Sequence, residues 1–204
     1  MTNHIVVIDY GSGNLASVVF SVRELGYSAV VAQSPEEVRD ARVLIIPGVG
    51  NAISAGSMLG STWLSEALHL RNAAERPIVG ICLGAQLMYT HLDESGSAGL
   101  SWLSGSVEEL PNGHRNTGWS SLDHQTLRET GLATGIRPGD TFYFNHRYAL
   151  SRRSATIEVL SAGTSPVVAI AISGHLYAIQ FHPEKSQAPG ARLLQNTLRV
   201  ADAN

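Results

Sequence analysis

"RPIVGICLGAQLMY", residues 76–89, is the stretch on which the reading of this chain turns. An apolar run, Ile78–Ile81, passes directly into a helical pattern that begins at Leu83, and the chain's single cysteine, Cys82, stands at the junction. A strand that feeds a helix without a break is the building unit of a parallel α/β sheet. The neighbours sharpen this. Gly80-Ile81-Cys82-Leu83-Gly84 has the form G-x-C-x-G, a thiol version of the tight strand-to-helix turn that lifts a nucleophile out at the carboxyl edge of a sheet. Such a turn presses backbone against backbone on both sides of the nucleophile, and glycine accommodates that approach. The unpaired N–H groups of the helix start then favour a thiolate over a thiol. The competing reading is a buried cysteine that serves as a small hydrophobe.

Toward the N-terminus the same alternation repeats. Strands are expected at Ile5–Ile8, Ala29–Val31 and Val43–Ile46, and helices at Leu15–Leu25, Pro35–Arg39 and Ala55–His69. In the first helix Leu15, Val18, Val19, Val22 and Leu25 recur at helical spacing. From about Gly99 the apolar stretches shorten and are broken by "GS", "PNG", "RPGD" and "SAGTSP", the texture of antiparallel strands and hairpins. A final helix is expected over Gly190–Arg199. No repeat, linker or charge run marks a second domain. The expectation is one domain over residues 1–204, an α/β fold with a mostly parallel central sheet, helices on both faces and an antiparallel portion from the second half.

Composition narrows the function. The 204 residues are 44% hydrophobic and 15% charged with a net charge of -3, which argues against disorder and against a nucleic-acid surface. The opening "MTNHIVVIDY" lacks a basic start and carries an acid inside its apolar run, so it does not read as a signal peptide. No run approaches the roughly 18 apolar residues of a membrane span. One cysteine forms no internal disulfide, in keeping with a reducing, cytoplasmic location.

A thiol nucleophile needs a base. In "YAIQFHPEKS", residues 177–186, an expected strand over Tyr177–Phe181 leads to His182, Pro183 and Glu184. In an extended segment residues i and i+2 share a face, about 6.5–7 Å apart, so Glu184 can reach the ring of His182. A carboxylate on one ring nitrogen fixes the tautomer and leaves the other for the thiol. Taken singly, His182 reads sooner as a satisfied surface histidine and Glu184 as a solvated charge; their value lies in the combination. Acyl transfer also needs donors for an oxyanion. The N–H of Leu83 is one candidate, and "LIIPGVGN", residues 44–51, offers another where a strand ends in Pro47, Gly48, Val49 and Gly50. A plain βα turn would account for those glycines too.

Two further signals are weaker. Gly11-Ser12-Gly13-Asn14-Leu15-Ala16 fits G-x-G-x-x-A between a strand and a helix, yet "VVAQS" ends the second strand without the acid that a dinucleotide site requires. The eight histidines show neither His-x-x-x-His nor H-E-x-x-H spacing. Neither a cofactor nor a metal is expected.

With "VVIDYGSGNLASV", "IIPGVG", "GICLGAQLM", "LSGSVEELP", "TGWSSL", "FYFNHRY" and "YAIQFHPEKSQAPGARLLQNTL", the chain resembles the class I, triad-type glutamine amidotransferases over nearly its whole length. Within them it is most similar to the glutaminase subunits of imidazole glycerol phosphate synthase. The resemblance implies Cys82 as nucleophile, His182 as general base and acid, Glu184 as its orienter, residues 47–50 as the oxyanion strand and Gln86 as a glutamine-binding residue. It implies hydrolysis of glutamine through a cysteinyl thioester, with ammonia passed to a partner (β/α)8-barrel cyclase of histidine biosynthesis. Trp119, Tyr143, His146 and Lys185 match positions near that partner interface, although core packing would also account for Trp119 and Tyr143. Three departures stand out. Asn116-Thr117-Gly118-Trp119-Ser120 replaces the usual His-x-Gly-Trp-Asn, Phe144-Asn145-His146-Arg147-Tyr148 replaces Phe-Val-His-Ser/Thr-Tyr, and Ala85 stands where methionine is common. They bear on which synthase receives the ammonia. A paralogous glutaminase of surface-sugar biosynthesis, another cysteine hydrolase such as a peptidase, and a non-catalytic partner of a barrel synthase remain as alternatives.

Overall fold

The computed structural model describes residues 4–11, 14–60, 63–152, 155–162 and 165–203. Its first half is the expected alternation: β1 Ile5–Val7, α1 Leu15–Glu24, β2 Ala29–Val31, α2 Pro35–Asp40, β3 Val43–Ile46, α3 Ala52–Gly60, α4 Trp63–Ala73, β4 Ile78–Ile81 and α5 Leu83–Gln86. Ile8 lies just past β1, with its N–H still on the carbonyl of Ile45 at 3.1 Å. The helix expected over Ala55–His69 is two helices, α3 and α4, with residues 61–62 between them outside the described set. The helix that opens at Leu83 lasts one turn and gives way to β5, Tyr89–Leu92.

Then come β6 Leu103–Glu109, β7 Asn116–Ser121, α6 His124–Glu129, β8 Thr141–His146, β9 Tyr148–Leu150, β10 Ile157–Leu160, β11 Val168–Ser173, β12 Leu176–Ile179 and α7 Gln187–Ala203. The "GS" at Gly105 does not break the chain; it lies inside β6, where three residues of β6 oppose two of β5 and Gly105 takes φ 116. "PNG" is a 3₁₀ turn, and Gly163 and Thr164 of "SAGTSP" lie outside the described residues. β12 stops at Ile179, two residues short of the expected strand, while α7 extends beyond both ends of its expected range.

Seven strands form the central sheet in the order β10-β11-β12-β4-β3-β1-β2. The five from β12 to β2 are parallel, and β10 and β11 add an antiparallel edge. Alternate residues serve opposite faces. Val6, Leu44 and Ile46 pack with Val38, Leu64 and Leu68 of α2 and α4, while Ile5, Val7, Val43, Ile45 and Val79 pack with Val18 and Val22 of α1 and Leu193, Leu194 and Leu198 of α7. The sheet β5-β6-β9 packs into the first layer through Leu92, Leu103, Val107 and Leu150. The β7-β8 pair packs into the second through Phe142 and Phe144. The antiparallel texture read after Gly99 holds for β6-β9, β7-β8 and β10-β11-β12, but β5 and β6 run parallel. Among the described residues no helix is long and apolar enough to cross a membrane.

This topology sets β12, β4 and β3 side by side and parallel, so their carboxyl ends open at one edge. Crevices at such edges are where open α/β sheets place their ligands.

Candidate active site

Cys82 follows the last residue of β4 in a conformation rare for a residue with a Cβ, φ 52 and ψ -109. Backbone strain of this kind costs on the order of 1–3 kcal/mol and persists only where the surroundings impose it. Here they do. The Cys82 N–H donates to Ile179 O of β12 at 2.7 Å, and its carbonyl accepts the N–H of Gln86 at 3.0 Å, so both sides of the turn are tied down. The glycines are sterically required as expected. A Cβ on Gly84 would stand 1.9 Å from Ile46 O, and one on Gly80 would meet Ala85 N at 2.7 Å. Because α5 is only four residues long, its macrodipole is slight.

His182 is fully buried and faces this turn from the end of β12. Its Nδ1 lies 2.7 Å from Glu184 Oε1, so this nitrogen carries the proton and Nε2 is left for the thiol. The link is not made by an extended segment. Pro183–Lys185 is a 3₁₀ turn, and the carboxylate folds back onto the ring through it. The chain there is held by β8: the His182 N–H donates to Tyr143 O at 2.9 Å, and Ser186 Oγ both donates to His182 O at 2.6 Å and accepts the Tyr143 N–H at 2.9 Å. Glu184 Oε1 also accepts from the side-chain amide of Asn14. Burial pulls the imidazole toward neutrality, but its hydrogen bonds with Cys82 and Glu184 outweigh that, and its pKa is pushed up to about 9.

The sulfur and this imidazole share a cleft of about 160 Å³. Val49, Gly50, Leu83 and Gln86 line the near side with them. Gly48 lies beneath, where a Cβ would meet Gly84 N and Leu83 Cβ at 2.7 Å, and Tyr10 donates its hydroxyl to Pro47 O at 2.5 Å, pinning the start of this segment. Gln86 is buried; its amide donates to Tyr148 O at 2.8 Å. Glu94, Arg115, Asn145, His146, Arg147 and Tyr148 form the far wall, which sets one carboxylate and two guanidinium groups around the opening. Arg147 is paired with Glu109.

His146 is buried in that wall rather than displayed on an exterior face. Its Nδ1 lies 2.8 Å from Tyr148 O and must donate, so Nε2 accepts from Asn116 Nδ2 at 3.1 Å. Burial, only partly opposed by the Tyr148 carbonyl, holds its pKa down to about 4, and the ring is neutral at pH 7. Trp119 is 47% exposed and its ring leans on that of Tyr143 at 5.6 Å, which in turn lies 6.5 Å from the ring of His182. Lys185 is exposed. The sequence departures at Asn145 and Arg147 therefore border the cleft itself, and Asn116 stands behind it, bonded to His146.

Sequence reasoning did not single out Asn14, Tyr10, Ser186, Glu94 or Arg115. Asn14 and Tyr10 lay inside a quoted run, "VVIDYGSGNLASV", but their partners are 170 and 37 residues away, and no local pattern reports them. Residues 12–13 of the glycine turn lie outside the described set.

A strained cysteine, a buried imidazole with its tautomer fixed by a carboxylate, and an open cleft make a site suited to nucleophilic attack on a carbonyl group. Residues 6–201 match the family model for glutamine amidotransferase class-I. The chain belongs to the class-I glutamine amidotransferases. Among similar proteins, this amidotransferase is 40% identical over 200 residues to the imidazole glycerol phosphate synthase subunit HisH of Moorella thermoacetica, with 94% of this chain and 92% of the relative covered. The subunits of the same name from Symbiobacterium thermophilum and Vibrio cholerae are 38% and 36% identical, over 96% and 98% of this chain and 93% and 100% of the relatives. Among solved structures, a glutamine amidotransferase superposes with a TM-score of 0.74 at 19% identity, over 97% of this chain and 98% of that one. The PurLQS structure from Thermotoga maritima gives 0.73 at 15%, over 98% and 99%. These two show the amidotransferase fold. As a class-I glutamine amidotransferase, the chain is a glutamine-hydrolysing enzyme.

Proposed function

We propose that this amidotransferase is the glutaminase subunit of imidazole glycerol phosphate synthase, one domain over residues 1–204 that works in the cytoplasm beside a (β/α)8-barrel cyclase and supplies it with ammonia for histidine biosynthesis. The observation that carries the reading is the meeting of Cys82 and His182 in one cleft, with the buried Glu184 bonded to the far side of the imidazole. Similarity to HisH subunits over nearly the full length supports the choice of pathway.

In this mechanism glutamine enters with its amide at Cys82 and its ammonium and carboxylate groups toward Glu94 and the two arginines of the far wall. The Cys82 sulfur attacks the amide carbon and the carbonyl oxygen becomes an oxyanion. The N–H groups of Leu83 and Val49 are its donors. His182, protonated and held by Glu184, gives its proton to the nitrogen, the C–N bond breaks, and ammonia leaves a glutamyl thioester. Neutral again, His182 takes a proton from water, the hydroxide adds to the thioester, and collapse of the adduct breaks the C–S bond, releasing glutamate and returning Cys82 as thiolate beside the protonated His182. Gln86 shapes the floor of the cleft; Trp119, Tyr143 and Lys185 lie on the docking side. Bulk water would protonate and disperse the ammonia, so the product must leave into a sealed partner surface.

The test is glutamate release from glutamine, measured for the chain alone and with a cyclase subunit that carries its substrate. Release is expected to rise sharply in the complex and to vanish in Cys82→Ser. Wild-type complex without release, or release that survives Cys82→Ser, would overturn the reading. The departures that border the cleft, Asn145 and Arg147, favour one second reading, a glutaminase for a surface-sugar amidating enzyme. A one-to-one complex with that enzyme and not with the cyclase would select it.

A further inference from the structure

The side-chain amide of Asn14 reaches across the fold to the one carboxylate that orients the imidazole. It donates to Glu184 Oε1, the oxygen that also accepts from His182 Nδ1. The other oxygen, Oε2, is buried and has no hydrogen-bond partner among the described residues. The Glu184 side chain is wholly buried, so the direction in which its carboxylate points depends on these few bonds. Asn14 is itself held in place. It occupies the left-handed region, φ 74 and ψ 2, at the N-cap of α1, and its side chain makes no cap bond to that helix. An asparagine at an N-cap ordinarily spends its side chain on the helix N–H groups; this one is spent on Glu184.

From this the geometry points to Asn14 as a positioning residue for the reaction, an amide donor from the β1–α1 loop that sets the orientation of Glu184 and, through it, the strength with which Glu184 holds the protonated imidazole. The inference rests on the glutaminase reading above. It adds a fourth group to the three that the mechanism uses. Without this donor the carboxylate turns more freely about its buried stem, its bond to Nδ1 weakens, and the imidazolium gives up its proton at lower pH. The groups that face the His182 ring are Cys82 from the end of β4, Glu184 from its own turn, and Tyr143 and the neutral His146 from β8. Asn14 carries no net charge, so substitution by glycine removes the hydrogen bond without changing the charge of the site.

Because Cys82 is the chain's only cysteine, its alkylation by iodoacetamide, followed by mass as a function of pH, reads the thiol–imidazole pair directly and needs no partner subunit. Two variants separate the roles that Asn14 could play. Asn14→Gly tolerates the left-handed backbone but lacks the donor. Asn14→Asp keeps the size and the tolerance of that conformation but turns an acceptor toward Glu184. The alkaline inflection of the alkylation profile is expected to move to lower pH by on the order of one unit in Asn14→Gly. In the complex, kcat for glutamate release is expected to fall on the order of tenfold with KM little changed, and further in Asn14→Asp. Unfolding midpoints are expected to stay near wild type. An unshifted inflection in Asn14→Gly, recovery of wild-type behaviour in Asn14→Asp, or a glycine variant that fails to fold would each overturn the inference, since the role would then be absent or merely structural. Glutamate release by the wild-type complex is the separate control: if it is missing, the glutaminase reading fails, and if it is present with unaltered variants, only the role of Asn14 fails.

Discussion

His182 and His146 line one cleft, and burial works against the charged form of both, yet they end on opposite sides of neutrality. Bonds with Cys82 and Glu184 raise His182 to about 9, whereas the single carbonyl on His146 leaves it near 4. The consequence for stability follows from the free value of about 6.5. His182, raised in the folded state, contributes stability that is complete below about pH 6.5 and is lost as pH rises toward 9. His146, lowered, refuses a proton that the unfolded chain accepts, so its contribution is complete above about pH 6.5 and is lost as pH falls toward 4. In its own window each contributes a slope of at most ~1.4 kcal/mol per pH unit, downward toward alkali for His182 and downward toward acid for His146. Urea unfolding across that range is expected to show both limbs, and His146→Gln to flatten the acid limb alone. At this scale the convergence of Cys82, His182 and Glu184 was legible, because each sits in a short stretch whose residue types carry a recognisable chemistry. Asn14 and Ser186 were not, because a lone amide or hydroxyl takes its meaning from a distant partner.

Among the elements, β8 does more for the site than its sequence suggests. Its Tyr143 backbone accepts the His182 N–H and donates to Ser186 Oγ, which bonds back to His182 O, so a strand and a 3₁₀ turn are laced together through one buried hydroxyl. Ser186→Ala leaves the Tyr143 N–H without its partner and takes one of two donors from His182 O, which keeps the Lys185 N–H, and should cost on the order of 2 kcal/mol in unfolding free energy, with a parallel loss of kcat rather than of substrate binding. Denaturant titration beside glutaminase kinetics checks both. The early strands and α1 were readable because alternation and helical spacing are local. The residues after Gln86 were not: "LMYTHL" suits a helix as well as a strand, and pairing of Tyr89 with Leu103 decided it. The "GS" of β6 was misjudged for a related reason. A glycine in a bulge and a glycine in a turn look alike until the partner strand is known.

For the molecule as a whole, the order β12-β4-β3 is what makes a site, since it sets the ends of three strands, 82, 182 and 47–50, along one edge. Trp119, 47% exposed and tilted against Tyr143, which in turn neighbours His182, offers the kind of aromatic anchor that dominates docking energies. Trp119→Ala is expected to weaken the proposed complex with the cyclase by about 2 kcal/mol or more while it moves the stability of the isolated chain by less than about 0.5 kcal/mol. Titration calorimetry and thermal unfolding measure the two effects. The chain by itself determined the alternating α/β pattern, the steric need for glycine around Cys82 and the chemistry available at each motif, because these depend on neighbours within a few residues. Tertiary structure alone decided the order of the strands, that His146 is kept neutral in the same cleft as His182, and that Asn14 would hold Glu184. Those outcomes depend on pairing and burial between segments as far as 170 residues apart, and spacing along a chain carries no record of them.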